Sequence, residues 1–424
     1  MIDSTRLVEP IRNDLVRLVQ ELVRTNSVAV PPEGNETPAQ LVLAEFLKTY
    51  GLDAELYDTG FLLDSPHPYV RRDRHYAGRK NLVLTVPGTG RGRSLLFTGH
   101  IDTVPQGPGN WSASPWSGSV HDGRIHGRGS ADMKGGLAAQ FAIACALAKA
   151  GIRTGGDLIF ESVVDEEWGG CGGTLAGRLR GDNADACVIG ETTSLTVTRA
   201  TRGGYIFDLE WGIGDLSNYF SEEEVPNPVA PLAKLLEWVD GLAAERRKVD
   251  RAGAYSEFPD PVPVQVVSVE ANPRDPNIPI TVPTTAAIRI YIQFLPHEDV
   301  PPVIAGVRRS LENFCADNPF FREHPPAWRP FFEPALLGHE LAAEHEWTQC
   351  LLRSAEKTLG KPSVPVAAPY PCDAFMLQRE FGIPTLIFGP TGAGHHQADE
   401  YVEIESVIDS VRTGMAAAFE WCGA

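Results

Sequence analysis

At 424 residues the chain exceeds the size at which a single hydrophobic core stops growing, so two domains are expected. Hydrophobic residues at 43% and charged residues at 22% are ordinary globular values and exclude a largely disordered or fibrous chain. A formal net charge of -18, with no Lys/Arg cluster, argues against nucleic acid as a partner, because neutralising phosphates takes a basic surface.

From the N-terminus, Leu7, Ile11, Leu15, Leu18 and Leu22 form an amphipathic pattern broken by charges, which is neither an export signal nor a membrane anchor. A cytoplasmic location without membrane contact is expected. Helices are predicted over 14–28 and 40–50, the second ending at Gly51. Asn81 to Val86 and Ser94 to Thr98 are short apolar runs bounded by glycine and charge, the mark of buried strands. The Ala- and Leu-rich stretch from Met133 to Ala150, followed by Gly151, reads as a buried helix. Apolar strands follow at 157–164 and 186–190, and strand, helix, strand in succession predicts a parallel α/β sheet.

The texture changes near Thr201. Tyr205 to Trp211 alternates like a half-exposed strand, 231–248 reads as a helix, 262–269 and 285–294 as strands, and 301–315 as a second helix. This predicts a smaller α+β domain at 200–318, inserted into a catalytic domain formed by 1–199 and 319–424. A helix at 345–359 and a strand at 384–388 restore the first texture. Cys145, Cys171, Cys187, Cys315, Cys350, Cys372 and Cys422 are scattered, odd in number and form no CxxC pair, which argues against a disulfide framework and a thiolate zinc site.

Candidate chemistry gathers at strand ends, where open α/β sheets place ligands. His100 and Asp102 stand in GHIDTVP, Asp132 in GRGSADMKGG just before a helix, Glu166 and Glu167 in DEEWGG, Glu191 in GETT, and His396 in HHQADEYV. Taken singly, each has a plainer reading. Asp132 could be an N-cap, Glu166 and Glu167 a solvated turn, and His395 and His396 loop polarity. Taken together, two imidazoles and three carboxylates without thiolate suit a pair of divalent ions, zinc or cobalt. Asp102, two residues beyond His100, is placed to fix that imidazole's tautomer. Of the adjacent glutamates, one can ligate while the other faces a bridging water as general base.

These five motifs resemble those of the metallopeptidase family that includes acetylornithine deacetylase, succinyl-diaminopimelate desuccinylase, aminoacylase, carnosinase-type dipeptidases and glutamate carboxypeptidase. The resemblance spans essentially the whole chain. It implies a zinc-peptidase-like α/β catalytic domain with a mixed, largely parallel sheet, plus an inserted α+β lid domain through which two copies pair. It further implies that His100, Asp132, Glu167, Glu191 and His396 hold two divalent ions, zinc first and cobalt or manganese as alternatives. Glu166 would be the base and Asp102 the orienting carboxylate. His396 rather than His395 is chosen because it stands four residues before Glu400, the family's spacing. The implied activity is hydrolysis of the amide bond of an N-acyl amino acid or small peptide-like substrate.

Two features of the inserted segment depart from the family pattern. Arg202 to Gly204 matches, as does the Asn277 to Pro279 stretch, but Asn218 stands where relatives carry a histidine that reaches the scissile carbonyl. An amide can donate a hydrogen bond there but carries no positive charge. Gln293 stands where relatives have an arginine that helps to recognise a substrate carboxylate, and it cannot make that bidentate charged contact. Arg289 could compensate if it faced the pocket. The altered pair keeps open a second reading, a biosynthetic enzyme that uses the same metals for cyclisation, dehydration or lyase chemistry.

Overall fold

The computed structural model describes residues 4–214, 227–272, 283–331 and 333–423, and these divide into two compact units. The larger comprises 1–200, 339–368 and 372–424; the smaller comprises 201–338 and 369–371.

A nine-stranded sheet organises the larger unit. Its strands are β1 (Glu55–Asp58), β2 (Lys80–Val86), β3 (Leu95–His100), β4 (Leu158–Val163), β5 (Cys187–Ile189), β6 (Thr198–Thr201), β7 (His339–Glu340), β8 (Val366–Ala367) and β9 (Thr385–Ile387). Their order is β7-β6-β9-β5-β3-β4-β2-β1, with β8 also on β6. The centre is parallel, β4 and β5 both running with β3, and β9 with β5. The flanks are antiparallel, β2 against β4, β1 against β2 and β6 against β9. The sheet is thus mixed around a parallel core.

Strands covered on both faces must be apolar throughout, and every residue of β3 is buried. The helix Gly135–Ala150 is buried on all sides through Leu147 and ends at Gly151, whose φ of +65° is a left-handed cap that glycine adopts without strain. Helices Arg12–Arg24, Glu346–Leu359 and Ile404–Cys422 add Leu15, Leu22, Trp347, Leu351, Ile408, Val411 and Met415 to the same core. Among the described residues no helix is long and apolar enough to cross a membrane. All seven cysteines are free.

A small antiparallel sheet in the same unit runs Gly392–Ala393, Tyr401–Glu403, Arg124–His126, Ser119–His121. It sets the 394–400 loop beside the 127–132 turn, two segments far apart in the chain.

The smaller unit is α+β. Its four antiparallel strands lie in the order Val264–Asn272, Thr285–Phe294, Gly203–Gly212, Ala327–Pro330, accompanied by helices Leu232–Arg246 and Val300–Asp317. Alternation makes the core: Tyr205, Phe207, Leu209 and Trp211 meet Ile288, Ile290, Ile292 and Phe294. Where the sequence reading ended this segment at 318, the unit extends to Gly338. The reason is pairing of Ala327–Pro330 along Phe207 to Glu210.

Candidate metal centre

His100 is the last residue of β3 and its side chain is fully buried. Its Nδ1 lies 3.0 Å from the backbone oxygen of Asp102 and 3.5 Å from Asp102 Oδ1, leaving Nε2 to face outward. There Nε2 stands 3.1 Å from Asp132 Oδ1 and 3.1 Å from Glu191 Oε1. Glu191 follows β5, the parallel neighbour of β3, so the two strand ends deliver these side chains to one place.

Asp132 sits in a buried turn entered through Gly129, which has φ of +81°. Its second oxygen, Oδ2, is 3.2 Å from Nε2 of His396, which is also 3.0 Å from Glu167 Oε2. The Asp132 carboxylate therefore offers one oxygen to each of two donor sets, His100–Asp132–Glu191 and Asp132–Glu167–His396. His396 has φ of +58°, a conformation that non-glycine residues seldom adopt and that is frequent where function fixes the backbone. His395 is exposed and belongs to neither set.

Glu166 and Glu167 follow β4 after Asp165, itself left-handed at φ +68°. The Asp102 carboxylate accepts the backbone N–H groups of Glu166 and Glu167, each at 3.2 Å, and so ties this turn to His100. The Glu166 carboxylate reaches only within 3.9 Å of His100 Nε2, outside the 3.0–3.2 Å separations of the other acids.

Electrostatics follow from crowding. Burial pushes the carboxyls of Glu166 and Glu191 up, and that of Glu167 up to about 7. For Asp132 burial acts the same way, but its hydrogen bonds to His100 and His396 outweigh it and hold the carboxyl low. Burial opposes a charged His100, yet hydrogen bonds to Asp102, Asp132 and Glu191 raise it well above the usual imidazole range. His396 rises to about 11, chiefly through its bonds to Asp132 and Glu167. Four carboxylates thus meet two imidazoles in a cluster that is buried at His100 and open at His396, an excess of negative charge that divalent cations would balance. The geometry fits as well: donors arranged tetrahedrally about zinc at about 2.0–2.1 Å lie about 3.3 Å apart, close to the separations found here.

Several buried groups around the cluster carry no local sequence signal. Arg79 binds Glu36 and, at 3.0 Å, Asp165, behind the Glu166–Glu167 turn. Asp373 is buried, bonded to the Thr174 hydroxyl, and its carboxyl is pushed up by burial. Glu400, noticed in the sequence only for its spacing from His396, is fully buried against the Asp132 turn.

Asn218 and Asn277 fall outside the described residues. Gln293 is buried in the smaller unit. Its oxygen accepts from Arg202 Nη1 at 2.7 Å, and its amide donates to the Tyr291 hydroxyl at 2.8 Å and the Pro369 carbonyl at 3.1 Å. Arg202 is equally buried and also donates to the Asp260 carbonyl. Arg289, expected to compensate for the lost arginine if it faced the pocket, is instead held by both carboxylate oxygens of Asp208 directly across the sheet.

A parallel-cored α/β sheet that gathers paired carboxylate–imidazole sets at its strand ends defines the class of two-metal hydrolases. Comparison with known proteins carries this further. Residues 96–420 match the profile of Peptidase family M20/M25/M40, and the chain belongs to that family. It is 26% identical over 437 residues to an N-formyl-4-amino-5-aminomethyl-2-methylpyrimidine deformylase of Halalkalibacterium halodurans, covering 98% of this chain and 96% of that protein. It is 28% identical over 405 residues to a succinyl-diaminopimelate desuccinylase of Methylobacterium radiotolerans, covering 92% of each. Among solved structures it resembles human carnosine dipeptidase 1, with a TM-score of 0.76 at 17% identity over 99% of both chains. The chain is accordingly a metal-dependent hydrolase of amide bonds, and the non-hydrolytic alternative gains no support.

Proposed function

We propose that this chain removes a small acyl group from the amino nitrogen of a small molecule, with N-formyl and N-succinyl amines or amino acids as the substrates to try first. The observation that carries the reading is the split of the Asp132 carboxylate, one oxygen within 3.1 Å of His100 and the other within 3.2 Å of His396. On this reading His100, Asp132 and Glu191 hold one divalent cation and Asp132, Glu167 and His396 a second, with zinc the leading ion and cobalt or manganese able to replace it. The bound ions would supply Lewis acidity toward the scissile carbonyl oxygen and lower the pKa of a nearby water.

The chain's own groups do the rest. Glu166, half-buried and outside the donor sets, takes a proton from the attacking water as the water's oxygen bonds to the carbonyl carbon. It then passes the proton to the nitrogen as the C–N bond breaks, releasing a free amine and a carboxylic acid. Asp102 holds His100 through the Nδ1 side and fixes the Glu166–Glu167 turn through its amides.

The same proposal takes the inserted segment as a lid through which two copies pair, and places the protein in the cytoplasm. Support for pairing comes from the strand Val264–Asn272, which forms one edge of its sheet and exposes Val267 and Val269. Light scattering on the purified chain would test the dimer. For the activity, the decisive measurement is release of free amine from a panel of N-formyl and N-succinyl substrates by zinc-loaded protein. Turnover of one member is expected. A fully metallated chain that releases no amine from any N-acyl substrate would overturn the proposal.

A further inference from the structure

Glu400 is fully buried yet stands in neither donor set. A carboxylate buried in that way persists only if its oxygens are met by donors, and here they are. Oε1 accepts the backbone N–H of Ala131 at 2.9 Å and of Asp132 at 3.0 Å. Oε2 accepts the N–H of Gly129 at 2.9 Å and Nη1 of Arg128 at 2.6 Å. Arg128, buried to the same degree, extends Nη2 to the carbonyl oxygens of Gln397 at 3.1 Å and Gln106 at 3.4 Å. Finally the Glu400 carbonyl accepts the N–H of Gly127 at 2.9 Å. One ion pair thus joins the loop after His100, the Asp132 turn and the His396 loop.

The three segments do not depend on it equally. His100 is fixed by its strand and by Asp102. The Asp132 turn has further anchors: Lys134 Nζ donates to the carbonyls of Leu22 at 2.8 Å and Thr25 at 3.0 Å, and the Thr192 hydroxyl bonds the Ala131 carbonyl. His396 rides on a loop with a left-handed backbone and a side chain 55% exposed. That loop is tied by Arg128 one residue past the imidazole, by Glu400 four residues past it, and at the surface by Ser112 to Asp399.

We propose that Glu400 and Arg128 are positioning residues that set the affinity of the cation position formed by Asp132, Glu167 and His396, and affect the position formed by His100, Asp132 and Glu191 far less. The inference rests on the ligand assignment proposed above. In Glu400→Gln the shape is kept, but an amide group replaces one acceptor oxygen and the two buried donors that oxygen met are left unmet. In Arg128→Lys the charge is kept, but a point donor cannot span a carboxylate and two carbonyls.

The test titrates metal-free full-length chain with Co2+, followed by visible absorption, and counts Zn2+ per folded chain after dialysis. Wild type takes up two ions. Both variants are expected to bind the first equivalent as wild type does and the second about 10–100-fold more weakly, with excess Zn2+ restoring hydrolysis. Two equivalents bound with wild-type affinity in both variants, or equal weakening of both, overturns the proposal. So does failure of both variants to fold, which would make the pair a general stability element. His396→Ala separates this from the underlying assignment: if that variant still takes up two ions, the ligand assignment itself has failed.

Discussion

Glu166→Gln isolates proton transfer from metal binding. The substitution is isosteric and replaces a partly exposed carboxyl with an amide of the same shape, so folding should be little affected. The turn keeps its anchor, because Asp102 accepts the backbone N–H groups of Glu166 and Glu167 whatever the side chain. The Glu166 carboxylate stands 3.9 Å from His100 Nε2, whereas the four assigned donor contacts are 3.0–3.2 Å, so both cations should be retained. Loss of a general base and acid typically costs about 10²–10⁴ in rate, or roughly 3–5 kcal/mol of barrier. We therefore expect amine release to fall by at least about a hundredfold at unchanged metal content. Glu167→Gln makes the same change one residue on, and there metal per chain should fall together with rate. The paired assay is amine release alongside elemental analysis. A Glu166→Gln chain within tenfold of wild-type rate, or one that has lost a metal ion, would refute the assignment.

Other outcomes follow from the same structure. Arg79→Met strands the fully buried Glu36 and leaves the fully buried Asp165 with Arg74, at 4.0 Å, as its nearest cation; it should cost about 3–5 kcal/mol in urea unfolding, part of it recovered by adding Glu36→Gln, and an unchanged midpoint would show the pair to be idle. Zinc at a hundred times its Kd should stabilise the metal-free chain by about 2.7 kcal/mol, read as a chelator-reversible rise in Tm, and no rise would count against the centre. His339 is fully buried, and burial pushes its imidazole down to about 4 from an unfolded value of about 6.5. The folded state therefore binds fewer protons than the unfolded one in that window. Its contribution is full above pH 6.5 and is lost, by up to about 3 kcal/mol, as pH falls toward 4. His339→Gln should flatten that part of the pH–stability curve of metal-free chain, and two superimposable curves would exclude it.

What the sequence revealed and what it hid divide along a physical line. Buried strands such as Asn81 to Val86 announce themselves because cover on both faces demands an unbroken apolar run, and the observed strand is Lys80–Val86. The candidate donors are legible because each rides a short motif, most at a strand end and Asp132 just before a helix, so local context marks it before the fold collects it. Pairing direction has no such marker. The succession of strand and helix predicts parallel neighbours, yet β2 runs against β4, because position in the sheet is decided by long-range packing. Charges that meet across the chain are equally silent. Arg79, Glu36 and Asp165 come from three separate segments, and Asp208 faces Arg289 only through the register of two strands. The helix Ile404–Cys422 is a different case. Val407, Ile408, Val411 and Met415 repeat at helical spacing, and the signal was there to be taken.

Strands β5 and β6 are consecutive in the chain, yet β9, drawn from residues 385–387, lies between them. A growing chain on the ribosome therefore has a slot in the middle of its sheet until residues 385–387 have been made, with unpaired backbone on either side. His396 and Glu400 emerge later still. Synthesis would thus delay cation capture until His396 and Glu400 have emerged, and a chain ending before residue 385 should present an open, sticky sheet rather than a half-active enzyme.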